Sequence, residues 1–170
     1  MSERRTSKPK LALRPFLPAD APLLAEIFRA SVAELTGDDY SEAQQEAWVA
    51  SADDEAAFAA RRADALTLLG TIDGAPVGFA SLAGTERIDM LYVHPAAAKQ
   101  GAGAMLCDAL EKLAGARGAK DITVDASDAA RGFFEKRGYS AQSRNTVSLG
   151  GEWLANTTMT KLLTEQGRAS

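Results

Sequence analysis

The sequence predicts an α/β (α+β) fold, because segments with the two-residue period of strands alternate with segments of helical period. The clearest unit runs from Arg87 to Ala114 and reads as a strand, a glycine-containing turn and an amphipathic helix. Two turn signals, Asp73-Gly74 and Gly150-Gly151, each separate two strand-like segments and indicate hairpins. A chain of 170 residues is expected to form one domain.

The elements can be assigned in chain order from these patterns. Strands are predicted at 11–16, 66–72, a segment that begins at Val77, 87–93, 121–125, 143–149 and 152–162. Residues that start or stop helices stand at Asp20, Pro22, Gly37, Ser41, Gln44, Asp53 and Ser127. Ser41 and Gln44 have the spacing of a capping box, and Ser127 is expected to cap a helix over 128–137.

The central unit carries the strongest functional signal. Alternation along its strand puts side chains on two faces, Ile88, Met90 and Tyr92 on one and Asp89, Leu91 and Val93 on the other. Gly101 and Gly103 lie where the following helix begins. The first N–H groups of a helix have no partner and point out at its positive end, so the turn predicts an anion site that suits a pyrophosphate.

The spacing around these glycines separates the families that use such a turn. A P-loop requires Gly-Lys-Ser/Thr, which is absent from the sequence. A Rossmann fingerprint requires a third small residue at the place of Leu106. The structural alternative is that the glycines only close a strand-to-helix connection.

Two segments carry a family resemblance. The flanking LYVHP, the run from Ala98 to Gly103 and the helix MLCDALEKLA resemble the acetyl-coenzyme A signature of the GNAT N-acetyltransferase superfamily, [RQ]-x-x-G-x-[GA]. ASDAARGFFEKRGY resembles its second signature, and LALRPFLPADAPLLAEIF resembles its opening strand and helix. The stretch 40–48 and WLANTTM are similar to a branch of small bacterial single-domain members.

The resemblance covers about 11–163 and implies a single N-acetyltransferase domain there. It implies the GNAT fold, a mixed sheet of about six or seven strands flanked by about four helices. Acyl-CoA is then expected at the splayed central strands. Residues 1–10 are expected to be a disordered tail and 164–170 a polar tail.

The donor site follows from the same resemblance. Backbone groups of 91–93 would align the pantetheine arm, and the N–H groups of 100–104 would hold the pyrophosphate. The implied acetyl-CoA-binding residues are Leu91, Tyr92, Val93, Lys99, Gln100, Gly101, Ala102, Gly103, Ala104, Ser127, Ala130 and Phe133. Ala98 departs from the signature, which has arginine or glutamine there, so weaker coenzyme binding is expected.

The second departure concerns the acid that protonates the leaving thiolate. Many GNAT enzymes have a tyrosine where Phe134 stands. Three explanations are open: the thiolate leaves unassisted, Ser127 or Tyr139 donates the proton, or the protein binds acyl-CoA without catalysis.

The base and the acceptor contacts are assigned to acidic and aromatic residues. Asp89 on the central strand is the first choice as base and as an acceptor contact, and Asp125 is the second. The alternative for Asp89 is an ion pair with Arg87 or a lysine. His94, the only histidine, is expected to anchor the loop, with a role as the base as the alternative. Tyr40 and Trp48 are candidates for substrate contact, with burial in the core as the alternative.

The composition and net charge of the chain exclude some classes of binding partner. The net charge of −4 argues against nucleic acid, and the sequence has no apolar run of membrane-spanning length and no metal-ligand spacing. The single cysteine, Cys107, is interpreted as a packing residue and indicates a reducing, cytoplasmic location. The expected partner is a small-molecule or protein amine, with a homodimer left open. A non-catalytic acyl-CoA-binding or sensing module is the alternative function, and a structural domain that has lost the ligand is a third.

Overall fold

The computed structural model describes residues 10–163, which form a seven-stranded mixed sheet with helices on both faces. The strands are β1 Leu11–Pro15, β2 Leu66–Ile72, β3 Ala75–Ala83, β4 Arg87–Val93, β5 Asp121–Ser127, β6 Ser140–Leu149 and β7 Glu152–Leu162. The helices are α1 Ala21–Leu35, α2 Glu42–Val49, α3 Glu55–Asp64, α4 Ala102–Ala116 and α5 Arg131–Lys136. The expected tails at 1–9 and 164–170 lie outside the described residues.

The order of the strands places an opening in the middle of the sheet. The order is β1-β2-β3-β4-β5-β7-β6, and β4 and β5 pair in parallel while every other neighbouring pair is antiparallel. The β4–β5 register contains only Arg87 with Thr123 and Ile88 with Val124. The two strands therefore part after Ile88, and their backbones beyond that point face a gap.

Two hydrophobic clusters cover the two faces of the sheet. The first combines α4 and α5 with β5 and neighbouring strands, and its fully buried members include Leu106, Leu110, Ile122 and Met159. The second combines α1 and α3 with β2 and β3, and its members include Phe28, Phe58, Leu69 and Phe79. The sheet thus separates one helical layer from the other.

The predicted faces of β4 are correct from Met90 to Val93 but wrong for Ile88, because the strand contains a β-bulge. Ser81 pairs with Met90 and the next residue, Leu82, pairs with Ile88, so Asp89 is an extra residue on β4. As a result Ile88 packs in the first cluster together with Leu91 and Val93, while Met90 and Tyr92 pack in the second. The bulge at Asp89 therefore interrupts the regular alternation that the sequence predicts, and the alternation holds again from Met90 to Val93.

Most local signals have the outcome that the sequence predicts. Ser41 and Gln44 form a reciprocal capping box at α2. Asp73 and Gly74 take positive φ values of 51° and 85° in the β2–β3 hairpin. The helix expected over 128–137 is shorter: α5 spans Arg131–Lys136, because Ser127 caps a turn through Ala130 rather than the helix itself. None of the helices in the described part of the chain has the length and apolar character to cross a membrane.

Candidate active site

The parted strands β4 and β5 form the walls of a cavity of about 150 Å³. Eight residues that the sequence predicts for the site line it: Tyr40, Trp48, Asp89, Leu91, Tyr92, Asp125, Ser127 and Ala130. The sequence did not predict the contribution of the last hairpin, from which Val147, Leu149, Leu154, Ala155 and Asn156 close the cavity. The alternating apolar and polar residues of that hairpin indicate only a strand, so nothing local marks them as part of a site.

The glycine turn lies beyond the end of β4 and is separate from the residues that line the cavity. Gly101 occupies the N-cap of α4 with φ of 96°, and Lys99 also has a positive φ of 66°. The N–H of Met105 donates to Gly101 O at 3.0 Å. The N–H groups of Ala102, Gly103 and Ala104 precede that first helical bond, so they have no partner within the helix.

Two predicted residues support this turn. A Cβ built on Gly103 would lie 3.5 Å from Cε1 of Phe133, so Phe133 packs beside the helix start and does not line the cavity. His94 caps the short helical turn before it, where its Nδ1 accepts a bond from the N–H of Ala96 at 3.1 Å. The expectation that His94 anchors the loop is confirmed.

Asp89 is the bulged residue of β4 and lines the cavity. Its carboxylate forms an ion pair with an arginine of α3. Nη2 of Arg62, on the last turn of α3, donates to Oδ2 of Asp89 at 3.0 Å. Arg87 lies farther off, with Nη1 3.8 Å from Oδ1. The alternative of an ion pair for Asp89 is therefore confirmed, but the main partner is Arg62, 27 residues earlier, and not Arg87 or a lysine. Sequence reasoning missed Arg62 because one arginine in an amphipathic helix is usually exposed.

Asp125, the second candidate base, is held by the neighbouring strand. Oδ1 of Asp125 accepts a bond from the Thr158 hydroxyl at 2.7 Å, and Oδ2 lies 3.8 Å from Nη2 of Arg87. Asn145 donates to both Thr158 and Asn156, at 2.8 and 2.9 Å. A chain of polar side chains thus runs from Asp125 along β7 and β6 to Asn156 in the cavity wall.

Tyr40 and Trp48 form an aromatic corner of the cavity, with ring centroids 5.2 Å apart. The Tyr40 hydroxyl donates to the carbonyl of Ala155 and accepts from the N–H of Asp128, and burial raises its pKa. The pKa of Tyr92, on the same side of the sheet, is raised to about 12 by burial. Tyr40 is both buried and in the cavity wall, and its contact with a substrate stays a prediction.

The candidate acids have separate locations. Phe134 lines the cavity at the position where the resemblance implies a tyrosine, and Ser127 also lines it. The hydroxyl of Tyr139 instead donates to Oε2 of Glu111 at 2.9 Å, and burial strongly raises the pKa of this phenol. Tyr139 is not among the residues that line the cavity, so the structure gives the prediction of Tyr139 as acid no support.

Cys107 packs in the buried cluster beneath the sheet, as predicted, and burial raises the pKa of its thiol to about 11. A thiol that is buried and protonated at neutral pH is a poor nucleophile. The cysteine therefore belongs to the core rather than to the site.

Comparison with known proteins identifies the family. Residues 36–163 match the model of the acetyltransferase (GNAT) domain. The chain is 31% identical over 146 residues to the uncharacterized N-acetyltransferase YafP of Escherichia coli K12, a match that covers 86% of this chain and 92% of YafP. The chain belongs to the GNAT family of N-acetyltransferases, as the two signatures predict.

Solved structures agree with this assignment. A GCN5-related N-acetyltransferase (aminotransferase, class-II) of Rhodopseudomonas palustris is 63% identical, with a TM-score of 0.89 over 95% of this chain and 100% of that one. The PaiA N-acetyltransferase of Thermoplasma acidophilum, solved in complex with coenzyme A, is 19% identical, with a TM-score of 0.75 over 90% and 99%. The latter likeness is one of fold, and the predicted GNAT fold is confirmed.

Proposed function

We propose that this protein transfers the acetyl group of acetyl-CoA to a primary amine of a small molecule or a protein. The observation that carries the proposal is the parting of β4 and β5, which opens a cavity lined by two carboxylates, Asp89 and Asp125. The same strand, β4, is followed, after the short helical turn that His94 caps, by the glycine turn that suits a pyrophosphate. The cavity would thus supply an acidic acceptor side, and the glycine turn beyond β4 the phosphate-binding end of the donor side.

On the donor side, backbone groups of β4 and of the start of α4 would make most of the contacts with acetyl-CoA. The free edge of β4 at Leu91, Tyr92 and Val93 would pair with the pantetheine arm, and one of these N–H groups would polarise the thioester carbonyl. The N–H groups at the start of α4 would hold the pyrophosphate, with Lys99, exposed beside them, adding positive charge. Ala98 removes a side-chain contact but no backbone donor.

On the acceptor side, Asp89, directly or through a water that it holds, would take a proton from the ammonium group. The free amine then attacks the thioester carbon, so a C–N bond forms, the C–S bond breaks and the electron pair leaves on sulfur. The nitrogen releases its second proton to the departing thiolate or to water. The coenzyme thiolate has a conjugate thiol of pKa about 8.5 and can leave unassisted. Ser127 is the other candidate, because its hydroxyl lines the cavity while its oxygen accepts the bond from Ala130.

A non-catalytic acyl-CoA-binding module is the second candidate function, favoured by Ala98 and by Phe134 in the cavity wall. The two functions differ in one measurable reaction. An acetyltransferase releases free coenzyme A thiol from acetyl-CoA only when an acceptor amine is present. A binding module retains affinity for acetyl-CoA but gives no amine-dependent release with any member of a broad amine library.

The substitution Asp89→Asn tests Asp89 as the base, and Asp125→Asn tests the second candidate in parallel. We expect Asp89→Asn to lower the turnover rate at neutral pH by roughly 100-fold or more, the usual range for loss of a general base. Affinity for acetyl-CoA should barely change, because other residues hold the pyrophosphate. Raising the pH should restore part of the rate, since free amine becomes abundant without a base. A variant that melts early yet turns over normally when folded would assign the proton transfer to Asp125 or to water.

A further inference from the structure

Arg62 is the one buried charged residue within 10–163, with its side chain only 2% exposed. Removing a guanidinium from water costs several kcal/mol, which a fold recovers only through good ionic and hydrogen-bonding partners. Burial accordingly lowers the pKa of Arg62, and the charge of Asp89 opposes that shift. A hydrophobic side chain would suit this layer better unless the charge itself has a use.

The fold holds Arg62 in one orientation through a closed ring of hydrogen bonds. Nη1 of Arg62 donates to Oγ of Ser81 at 3.3 Å, and the Thr67 hydroxyl donates to the backbone carbonyl of Arg62 at 2.8 Å. The hydroxyl oxygens of Ser81 and Thr67 lie 2.9 Å apart. Because the hydrogen of Thr67 is used on Arg62, Ser81 donates to Thr67, and the ring is complete. The ring of Phe58 lies 5.2 Å from Cζ and covers the guanidinium.

The guanidinium spans the bulge on β4. Ser81, which binds Nη1, pairs with Met90, the residue after the bulge, and Asp89, which binds Nη2, is the bulged residue itself. The planar guanidinium of Arg62 therefore connects Ser81 on β3 to the carboxylate of Asp89 on β4. Lysine has a single ammonium group on a flexible stem and cannot reproduce both directions.

Only one oxygen of Asp89 is used in this contact. Oδ2 accepts from Arg62, whereas Oδ1 lies 3.8 Å from Nη1 of Arg87, beyond hydrogen-bond distance. The Asp89 side chain is 29% exposed and lines the cavity. The arrangement leaves Oδ1 as the oxygen that an ammonium group or a water can approach.

We propose that Arg62 is a positioning residue, which holds Oδ2 of Asp89 so that Oδ1 is presented to the acceptor amine. The inference rests on the proposed function in one respect, that Asp89 receives the acceptor's proton. It adds a residue from α3, outside both family signatures, to the machinery of the reaction. Ser81 and Thr67 act behind Arg62 and fix its direction.

Kinetics of four proteins test the proposal: wild type, Arg62→Lys, Asp89→Asn and the double variant. Arg62→Lys should lower kcat roughly tenfold and leave the KM for acetyl-CoA within about twofold. In the Asp89→Asn background, Arg62→Lys should change kcat by less than about twofold, because the group that it orients is already lost. The matched control is Arg61→Lys at the exposed neighbouring position, which should behave as wild type. If Arg62→Lys lowers kcat by the same factor in the wild-type and in the Asp89→Asn protein, Arg62 does not act through Asp89 and the proposal is overturned.

A measurement without turnover separates this proposal from the proposed function. In wild type, the ¹⁵Nη signals of Arg62 should show slow rotation about the guanidinium bonds, and Asp89→Asn should speed it at least severalfold. If no amine supports thiol release, the proposed function fails while slow rotation that depends on Asp89 still supports the held carboxylate. Equal rotation in wild type and Asp89→Asn would overturn the contact, whatever the kinetics show.

Discussion

The hydroxyl of Tyr40 lies 2.6 Å from the carbonyl oxygen of Ala155, although 115 residues separate the two in the chain. The same hydroxyl accepts a bond from the N–H of Asp128 at 2.8 Å. Gln44, in the first turn of α2, donates to the carbonyl of Trp153 on the same strand, β7. Hydrogen bonds thus attach the segment between α1 and α2, and the first turn of α2, to β7 at the cavity wall.

Tyr40→Phe should weaken acceptor binding more than donor binding. The substitution leaves the Ala155 carbonyl and the Asp128 N–H without their partner, which costs about 1–3 kcal/mol of stability for buried polar groups. We expect the KM for the amine to rise and the KM for acetyl-CoA to stay unchanged, measured by steady-state kinetics beside urea unfolding.

The control for Tyr40→Phe is Tyr139→Phe, which removes a hydroxyl that donates to Glu111 away from the cavity. It should lower stability without changing either KM or kcat. A clear fall in kcat for Tyr139→Phe would instead support Tyr139 as the acid that protonates the thiolate.

Gly103→Glu should abolish most of the affinity for coenzyme A, while Gly103→Ala keeps it. A Cβ at Gly103 meets Phe133 at an ordinary contact distance of 3.5 Å, so the alanine variant should fold normally. A glutamate at the helix start would put negative charge against the pyrophosphate, with an expected loss on the order of tenfold or more in affinity. Calorimetry with acetyl-CoA measures both; equal affinities for wild type and Gly103→Glu would reject the turn as the phosphate site.

Ala98→Arg should tighten coenzyme binding by restoring the side chain that the first signature expects. Ala98 directly precedes Lys99 at the glycine turn, so a new arginine would lie next to the proposed pyrophosphate site. The gain should be about 1 kcal/mol and should shrink in high salt, as for other charge-assisted contacts at partly exposed sites. Titrations at low and high salt test this, and a fall in affinity, or a gain that salt leaves unchanged, would show that the motif has a different register.

The buried thiol of Cys107 should make the fold less stable in alkali. Its pKa is raised from 9.0 to about 11 by burial, so its contribution is fully present below pH 9 and is lost as the pH rises toward 11. Over that interval the free energy of unfolding should fall by up to about 1.4 kcal/mol per pH unit from this group.

Urea unfolding of wild type and Cys107→Ala from pH 8 to pH 11 isolates that contribution. The pKa of Tyr139 is also raised by burial, so both proteins should lose stability in alkali. The free energy of unfolding of the alanine variant should fall less steeply with pH than that of wild type. Identical slopes would mean that the thiol does not ionise on unfolding in this range.

Signals that act within a few residues were sufficient to predict much of this protein. The capping box at Ser41 and Gln44 and the hairpin turn at Asp73-Gly74 depend only on nearby backbone geometry, and both form as predicted. The spacing of Gly101 and Gly103 is a local indicator of the family, because a helix start that approaches phosphate restricts the residue types that fit there.

Contacts between distant segments decided the rest. The bulge at Asp89 exists only because β4 pairs with β3 out of step, and it moves Ile88 to the opposite face from Met90. The charge of Arg62 is buried because α3 packs over Ser81 and Asp89, 19 and 27 residues later. Neither feature has a signature in its own neighbourhood of the sequence. A bulge and a buried ion pair depend on which strand and which helix lie alongside, and only the assembled sheet supplies those neighbours.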